Sequence, residues 1–527
     1  MDTFDHIVIG GGSGGCAVAG RLSEAGRSVC LLEAGGKGDG MLFRVPTATA
    51  LILPRKVQNW GYRTIPQPGL NGRSGYQPRG RVLGGSSAIN AMLYVRGHAA
   101  DYDEWARNGC EGWAWDDVLP YFRKAESNER GADDRHGADG PLNVADQRSP
   151  AAISEAFVEA GTEAQHPRTE DFNGPNQEGF GLYQVTQKNG ERWSAAHAYI
   201  HPHGDRSNLD VRTKVRVEKI LIEDGRAVGV RYRAGGATKE VRARGDVVLA
   251  AGAFGSPQIL MLSGIGPGAH LREHGVNVTR DAPGVGGNLQ DHVDYVLCYK
   301  SGRRDVWGLS AVGARDMWQA WRQWKRDRTG MLTTPFAEGG AFLKTRGDLD
   351  RPDVQLHFVV GLVDDHMRKL HLGHGWSCHV CVLRPHSRGE VRLASSDVRD
   401  DPAIDMGFLS DERDLDTLEQ GYRMTRQVCE APALAPWRGK EMYTDGNETR
   451  DELRDILRSR ADTVYHPVGT CRMGEDDGSV VDPQLRVRGI DGLRIADASV
   501  MPTIVGGNTN APTIMIGERC ASMLLAA

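Results

Sequence analysis

Apolar positions fall into three patterns along the chain, and each implies a different kind of element. Short apolar runs at 6–9, 29–32, 246–251 and 493–496 each end in Gly or an acid. The run at 246–251 is continuous, as expected of a parallel strand buried on both faces. A period of two starts at 209: Val211, Val215, Val217, Ile220 and Ile222 precede Asp224-Gly225, Val228, Val230 and Tyr232 precede Gly235-Gly236, and Val241 continues the alternation. This predicts a three-stranded antiparallel meander. Residues 353–359, 378–383 and 389–393 read as strands of a second sheet. Helical patterns occupy 101–126, about 150–165, 305–328, 411–431 and the end of the chain from about Pro512. Residues 41–79 are irregular and rich in Pro, Gly and Arg, and such a long segment inside a domain usually serves a ligand. Residues 127–150 read as polar loop.

The order of these elements predicts an α/β protein. A Rossmann-type dinucleotide-binding domain is interrupted and resumed, and a second α+β domain is built on an antiparallel sheet. The expected division is 1–150, 205–300 and 460–527 for the first, with 151–204 and 301–459 for the second. The length of 527 residues is too great for a single core.

Composition adds constraints. Hydrophobic residues make up 39% and charged residues 25%, an ordinary globular balance. The net charge of −5 gives no bulk attraction to nucleic acid. The 9 Cys are odd in number and scattered, which fits reduced thiols in the cytoplasm rather than a disulfide framework. The first strand reads as starting at Asp5, so no signal peptide is expected, and no apolar run is long enough to span a membrane.

The candidate chemistry starts at the first strand. Gly10, Gly12 and Gly15 fit G-x-G-x-x-G between an apolar run and a small-residue helix. In that motif the first glycine makes the tight turn, the second admits a pyrophosphate, and the third lets helix pack on strand. The phosphates would meet free N–H groups at the helix N-terminus. Glu33 ends the second strand at the spacing of the ribose-binding acid, which disfavours the 2′-phosphate of NADP. A second small-residue stretch, Gly84-Gly85-Ser86-Ser87-Ala88, suits either a planar ligand lying on backbone N–H groups or a simple capping turn. Cys378-His379-Val380-Cys381 lacks a partner pair for a metal site. His366, His371, His374, His379 and His386 fit no ligand spacing and read as surface histidines. No metal is expected. His466 lies between an apolar run and a Gly/Thr turn, and Asn510 precedes Pro512 where the last helix opens, a position that equally suits a helix cap. Trp318, Trp321 and Trp324 recur at helical spacing among basic residues. They read as a face packed on the protein itself, with peripheral contact with the inner membrane as the alternative.

With these residues in place, the chain resembles the glucose–methanol–choline (GMC) family of FAD oxidoreductases. One family signature runs from Gly80 to Asn90 and on through Asp103, and another from Gly252 to Gly266. Within the family it resembles the branch of choline dehydrogenases and bacterial alkane-pathway alcohol dehydrogenases, through 93–98, 336–342 and 384–389. The resemblance implies FAD held by Gly10, Gly12, Ser13, Gly14, Gly15, Glu33 and Ala34 at the first stretch. It adds Val82, Gly85, Ser86, Asn90, Ala91, Met92 and Leu93 along the flavin, and Val215 at adenine. Ala251, Asp497, Ala498 and Thr509 complete the set. Ile89 stands where some members carry the histidine that bonds flavin, so the FAD is expected to be non-covalent.

His466 matches the family's active-site histidine, and Asn510 is taken as the second position, which is His or Asn among members. The expected reaction is oxidation of a neutral primary alcohol. His466 would take the hydroxyl proton, Asn510 would orient the hydroxyl, and hydride would pass to the flavin. Electrons would go on to a quinone or O2. Phe336 and Glu338 are candidates for the pocket wall, where a carboxylate would favour choline; Glu338 lies in a stretch shared with relatives acting on neutral alcohols and suits a structural role equally. A hydroxynitrile lyase is the alternative of another class. The sequence does not specify the oligomeric state.

Overall fold

The computed structural model describes residues 2–526. Five short strands form a parallel sheet in the order Leu209–Thr213, Val29–Glu33, His6–Ile9, Val247–Leu249 and Leu493–Ile495. Register places Val8 between Leu31 and Val248. Every residue of the three central strands is buried, which is why those segments read as unbroken apolar runs. The helix Ser13–Glu24 follows the first strand and packs against the last helix, Asn510–Ala526, through Gly14 and Gly517. A Cβ on Gly517 would lie 2.5 Å from the Gly14 carbonyl oxygen, so the two helices meet almost backbone to backbone.

The meander is present as Val215–Glu223, Arg226–Ala234 and Ala237–Ala243. Val211 does not belong to it. Residues 209–213 form the edge strand of the parallel sheet, and the chain turns at Lys214 (φ 58°) into the meander. The period-two signal therefore spans two sheets.

The second sheet has seven strands. Asp462–Thr463, Val293–Ser301, Gly373–Val382, Val354–Val359, Ala337–Leu343 and Gly179–Leu182 lie in that order, and Gly308–Leu309 also pairs with Gly373–Val382. The helices Ala152–Glu163 and Glu412–Glu430 join its core through Phe157, Leu415 and Leu418. Residues 293–301 thus lie in this sheet, ahead of the division expected at 300. Residues 390–392 pair only with Ala403–Asp405 in a separate ribbon. The irregular stretch after residue 40 holds two single-turn helices, Met41–Arg44 and Thr49–Ile52. Residues 126–128 and 142–144 form a small parallel pair where loop was expected.

All nine cysteines are buried and free. Cys378 and Cys381 belong to different core clusters on opposite faces of one strand, so they do not converge on a ligand. Among the described residues no helix is long and apolar enough to cross a membrane.

Candidate active site

A cavity of about 340 Å³ reaches from the ends of the parallel strands to the face of the second sheet. Its walls are set by elements at both ends of the chain.

The first strand delivers the backbone to Gly10 with φ 98°. A Cβ there would sit 2.4 Å from the Ala250 carbonyl oxygen, and one on Gly15 would sit 1.9 Å from that of Gly10. At Gly12 the nearest atom to a Cβ is 3.8 Å away, which leaves open backbone. The helix that follows has no side-chain cap, so its first N–H groups are available to an anion. These features fit a pyrophosphate. Glu33 is buried, with Oε2 accepting from Gly11 N–H at 2.9 Å and Oε1 from Gly35 N–H at 2.6 Å. Burial pushes its carboxyl pKa up, and the two backbone donors oppose that shift. Glu33 and Ala34 line the cavity with Val215, Val217 and Trp60, an acid beside apolar and aromatic walls that suits an adenosine.

Most residues expected at the cofactor lie on this wall. Gly10, Gly12, Ser13 and Gly14 do so at the first turn. Gly85, Ser86, Asn90, Ala91, Met92 and Leu93 do so along the second stretch. Ala251, Asp497, Ala498 and Thr509 complete it. Two do not. Gly15 is the contact between helix and turn, and Val82 is buried behind the wall with Phe43, Ile52 and Ile89. Asp497 spends its carboxylate on the protein, accepting from Gly252 N–H (2.8 Å), Ser256 Oγ (2.5 Å) and Ser499 N–H (2.8 Å).

The second small-residue stretch is fixed from behind by Arg192. This buried guanidinium donates to Asn90 Oδ1 at 2.9 Å, to Ser87 O at 3.2 Å and to Thr49 Oγ1. Among the described residues no acid pairs with it, and burial lowers its pKa to about 9. The stretch forms a single 3-10 turn, Gly85–Ala88, and places Gly85 and Ser86 on the cavity wall.

His466 lies at the far end, placed by a loop that Asp291 holds. Asp291 Oδ1 accepts from His466 N–H at 2.9 Å, and Oδ2 accepts from Thr463 Oγ1 at 2.5 Å. His466 Nδ1 is 3.0 Å from His292 Nδ1, the two rings meeting edge to face. One of these nitrogens must carry the proton and the other the lone pair. On the other side, His466 Nε2 lies 3.1 Å from Asn508 Nδ2. The amide nitrogen can only donate, so Nε2 holds a lone pair, Nδ1 carries the proton, and His292 accepts it. Asn508 is itself oriented by Gln355, whose Nε2 donates to Asn508 Oδ1 at 3.1 Å. Burial, His292, His357 and the Arg79 guanidinium together push the His466 pKa well below its usual range. The imidazole is neutral at physiological pH.

Asn510 is not the partner of His466. It is the first residue of the last helix, and its Oδ1 accepts from Ser13 Oγ at 2.7 Å, tying together the starts of the first and last helices. The turn into the helix aims Asn510 at Ser13, while Asn508, still in the loop, reaches His466. Asn508, Gln355, His292 and Asp291 were not singled out from sequence. The only signal was a second Asn two positions before the chosen one.

The wall facing His466 comes from the second sheet: Phe336, Ala337, His357, Val359, Val363 and His379. Phe336 lies there as expected. Glu338 does not, because its strand turns it to the other face, where its Oε2 accepts from Ala151 N–H and Ser154 Oγ, both at 2.7 Å. It caps the helix Ala152–Glu163. His366, His374 and His379 are buried rather than on the surface. His379 donates toward Asp294 Oδ2 at 2.6 Å, behind the cavity. Among the described residues no well-formed hydrogen bond reaches either ring nitrogen of His357; burial and the neighbouring histidines lower its pKa to about 3, opposed by the nearby Asn508 amide.

With the geometry established, comparison with known proteins gives a consistent result. Two models of the GMC oxidoreductase family match, one over residues 4–294 and the other over 385–517. The chain is 45% identical over 527 residues to an alcohol dehydrogenase [acceptor] of Pseudomonas putida, covering 99% of this chain and 96% of that one. It is 41% identical over 525 residues to an oxygen-dependent choline dehydrogenase of Brucella ovis, covering 99% and 95%. Among solved structures it resembles pyridoxine 4-oxidase from Mesorbium loti, with a TM-score of 0.90 and 31% identity over 99% of both chains. A Rossmann-type domain joined to a substrate-binding sheet, the glycine cradle and full-length similarity agree: the chain belongs to the GMC oxidoreductase family and is an FAD-dependent oxidoreductase.

Proposed function

We propose that this enzyme oxidises a neutral primary alcohol to its aldehyde, with His466 as the base and Asn508 as the group that orients the hydroxyl. The observation that carries this reading is the pair His466 Nε2 and Asn508 Nδ2, 3.1 Å apart on a cavity wall. A hydroxyl placed against that pair gives its proton to Nε2 and accepts from the amide. His292 accepts from Nδ1, which keeps the basic lone pair on the side of the substrate. FAD supplies the hydride acceptor when bound. The Asp291 carboxylate, behind His466 at its backbone N–H, suits a cationic imidazole, and the N-terminus of the last helix, which lines the cavity through Asn510 and Thr513, suits a developing anion.

The wall opposite His466 carries aromatic and aliphatic groups and the His357 imidazole, whose pKa burial lowers to about 3, and Glu338 is turned away from it. This favours a neutral alcohol over choline, although a similar chain bears the choline name. The onward acceptor is a quinone-type carrier or O2. Buried free thiols throughout fit a reducing compartment such as the cytoplasm.

A panel of alcohols mixed anaerobically with the FAD-loaded enzyme tests the reading. Neutral primary alcohols should bleach the flavin band and yield aldehyde, with choline much slower. Cleavage of a cyanohydrin without bleaching would instead make the enzyme a lyase. Reoxidation of the bleached enzyme by O2 and by a quinone analogue, compared side by side, identifies the acceptor.

A further inference from the structure

One face of the molecule is neither core nor catalytic wall, and it combines exposed apolar side chains with a concentration of positive charge. The helix Ala311–Asp327 packs inward through Ala320 and Trp324 onto Val45, Ala48 and Leu332. Trp324 also donates its indole N–H to Gly190 O at 2.9 Å. It is therefore part of the protein interior, as expected for all three tryptophans. Trp318 and Trp321 are not. They point outward with Met317, and Trp318 is 58% exposed. At the start of this helix, Leu309 pairs with Leu372. Leu370 and Leu372 are 74% and 84% exposed, the most exposed large apolar side chains among the described residues.

The loop bearing these leucines is firmly built. Asp365, His366 and Met367 all have positive φ (46°, 55° and 64°), a sharp reversal that non-glycine residues rarely adopt three in a row. Asp364 holds its base, bonded to His371 Nε2 at 2.8 Å, to Arg460 at 2.9 Å and to the Tyr443 hydroxyl. Its inner residues Val363 and Met367 line the cavity, while its outer ones project Leu370 and Leu372. The loop links the substrate cavity to the apolar face.

Charge indicates the partner. Residues 303–328 hold seven Lys or Arg against three Asp, in a chain whose net charge is −5. Arg304, Arg315, Arg322 and Lys325 make no ion pair among the described residues. Arg322 lies over Trp318 and Lys325 over Trp321, with each cation beside an exposed indole. Indoles and leucines that enter the acyl boundary, flanked by cations at headgroup level, form the pattern of a monotopic membrane surface.

We propose that this face docks the enzyme on an anionic phospholipid bilayer, with the 364–372 loop bringing the cavity next to the lipid. Docking of this kind admits alcohols that partition into the bilayer. The test is co-sedimentation of the FAD-loaded enzyme with phosphatidylcholine vesicles, with and without phosphatidylglycerol. Binding should require phosphatidylglycerol and weaken with salt. It should fall at least ~10-fold in Trp318→Ser/Trp321→Ser, in Leu370→Ser/Leu372→Ser and in Arg322→Glu/Lys325→Glu. Flavin bleaching by a short water-soluble alcohol should stay at the wild-type rate in all three, which shows that they are folded. Failure of the wild type to bind anionic vesicles overturns the proposal, as does binding that these substitutions leave unchanged. So does concentration-dependent self-association that they abolish, because a second copy of the chain would then cover the face.

Discussion

Two asparagines two residues apart give a sharp test of how this site works. Asn508→Ala removes the donor 3.1 Å from His466 Nε2, whereas Asn510→Ala removes the acceptor of the Ser13 hydroxyl. In the reacting complex the Asn508 amide faces a hydroxyl losing its proton and an imidazole gaining one, so its hydrogen bond is assisted by charge. Such bonds contribute about 1.5–3 kcal/mol. At about 1.4 kcal/mol per decade, Asn508→Ala should lower kcat/KM by roughly 10- to 150-fold. Flavin content should be unchanged, because Asn508 is held by Gln355 rather than by the glycine turn. Asn510→Ala loses one neutral hydrogen bond, about 1 kcal/mol, between the two helix starts. It should weaken FAD binding about 5-fold while turnover at saturating FAD stays within about 3-fold of wild type. Rapid anaerobic mixing measures the rate of flavin reduction, and titration of the apoprotein measures FAD affinity. A large loss of reduction rate at saturating FAD in Asn510→Ala, with Asn508→Ala near wild type, would refute the assignment and restore Asn510 as the group beside the base.

The other predictions concern the base and the cofactor. His466→Ala should lower the reduction rate at least ~100-fold with FAD retained. His292→Ala should cost less, because His466 keeps its place through Asp291, but the imidazole then loses the contact that fixes its tautomer, and kcat should fall more than KM changes. The base acts when neutral, and its pKa is well below the usual histidine value, so protonation should suppress activity only well on the acid side of pH 6.5. A rise in rate centred near neutrality would belong to Asp291, whose pKa burial pushes up to about 7 and whose negative form favours the imidazolium. That rise should vanish in Asp291→Asn and persist in Asn508→Ala. Finally, Ile89 is buried with Val82 and offers no nucleophile, so denaturation should release free FAD; yellow colour retained on the unfolded chain would contradict this.

The parallel sheet was legible because its strands are buried on both faces, and this forces the runs 7–9 and 29–32 to be wholly apolar. The glycine turn was legible for a related reason: at Gly10 and Gly15 a side chain would collide with a carbonyl, so the sequence has no freedom there. The catalytic end was less legible because it is assembled from four distant segments. Asp291 and His292 follow a loop, Gln355 sits in the second sheet, His466 in another loop and Asn508 ahead of the last helix. No local period announces such a meeting. The choice between Asn508 and Asn510 turns on where the helix begins, and element boundaries are the least certain feature of a sequence reading. For Glu338 the structural role, rather than the pocket one, is observed for a similar reason: neighbouring residues of a strand point to opposite faces, and Phe336, two positions earlier with φ 68°, is not in regular strand geometry. A bulge between Ala337 and Gly339 breaks the alternation that would have related the two side chains. The helix Ala311–Asp327 divides along the same line. Its periodicity marks it as amphipathic but cannot say which aromatic residues lie inside, and only the packing of Ala320 and Trp324 shows that the outward stripe is Met317, Trp318 and Trp321.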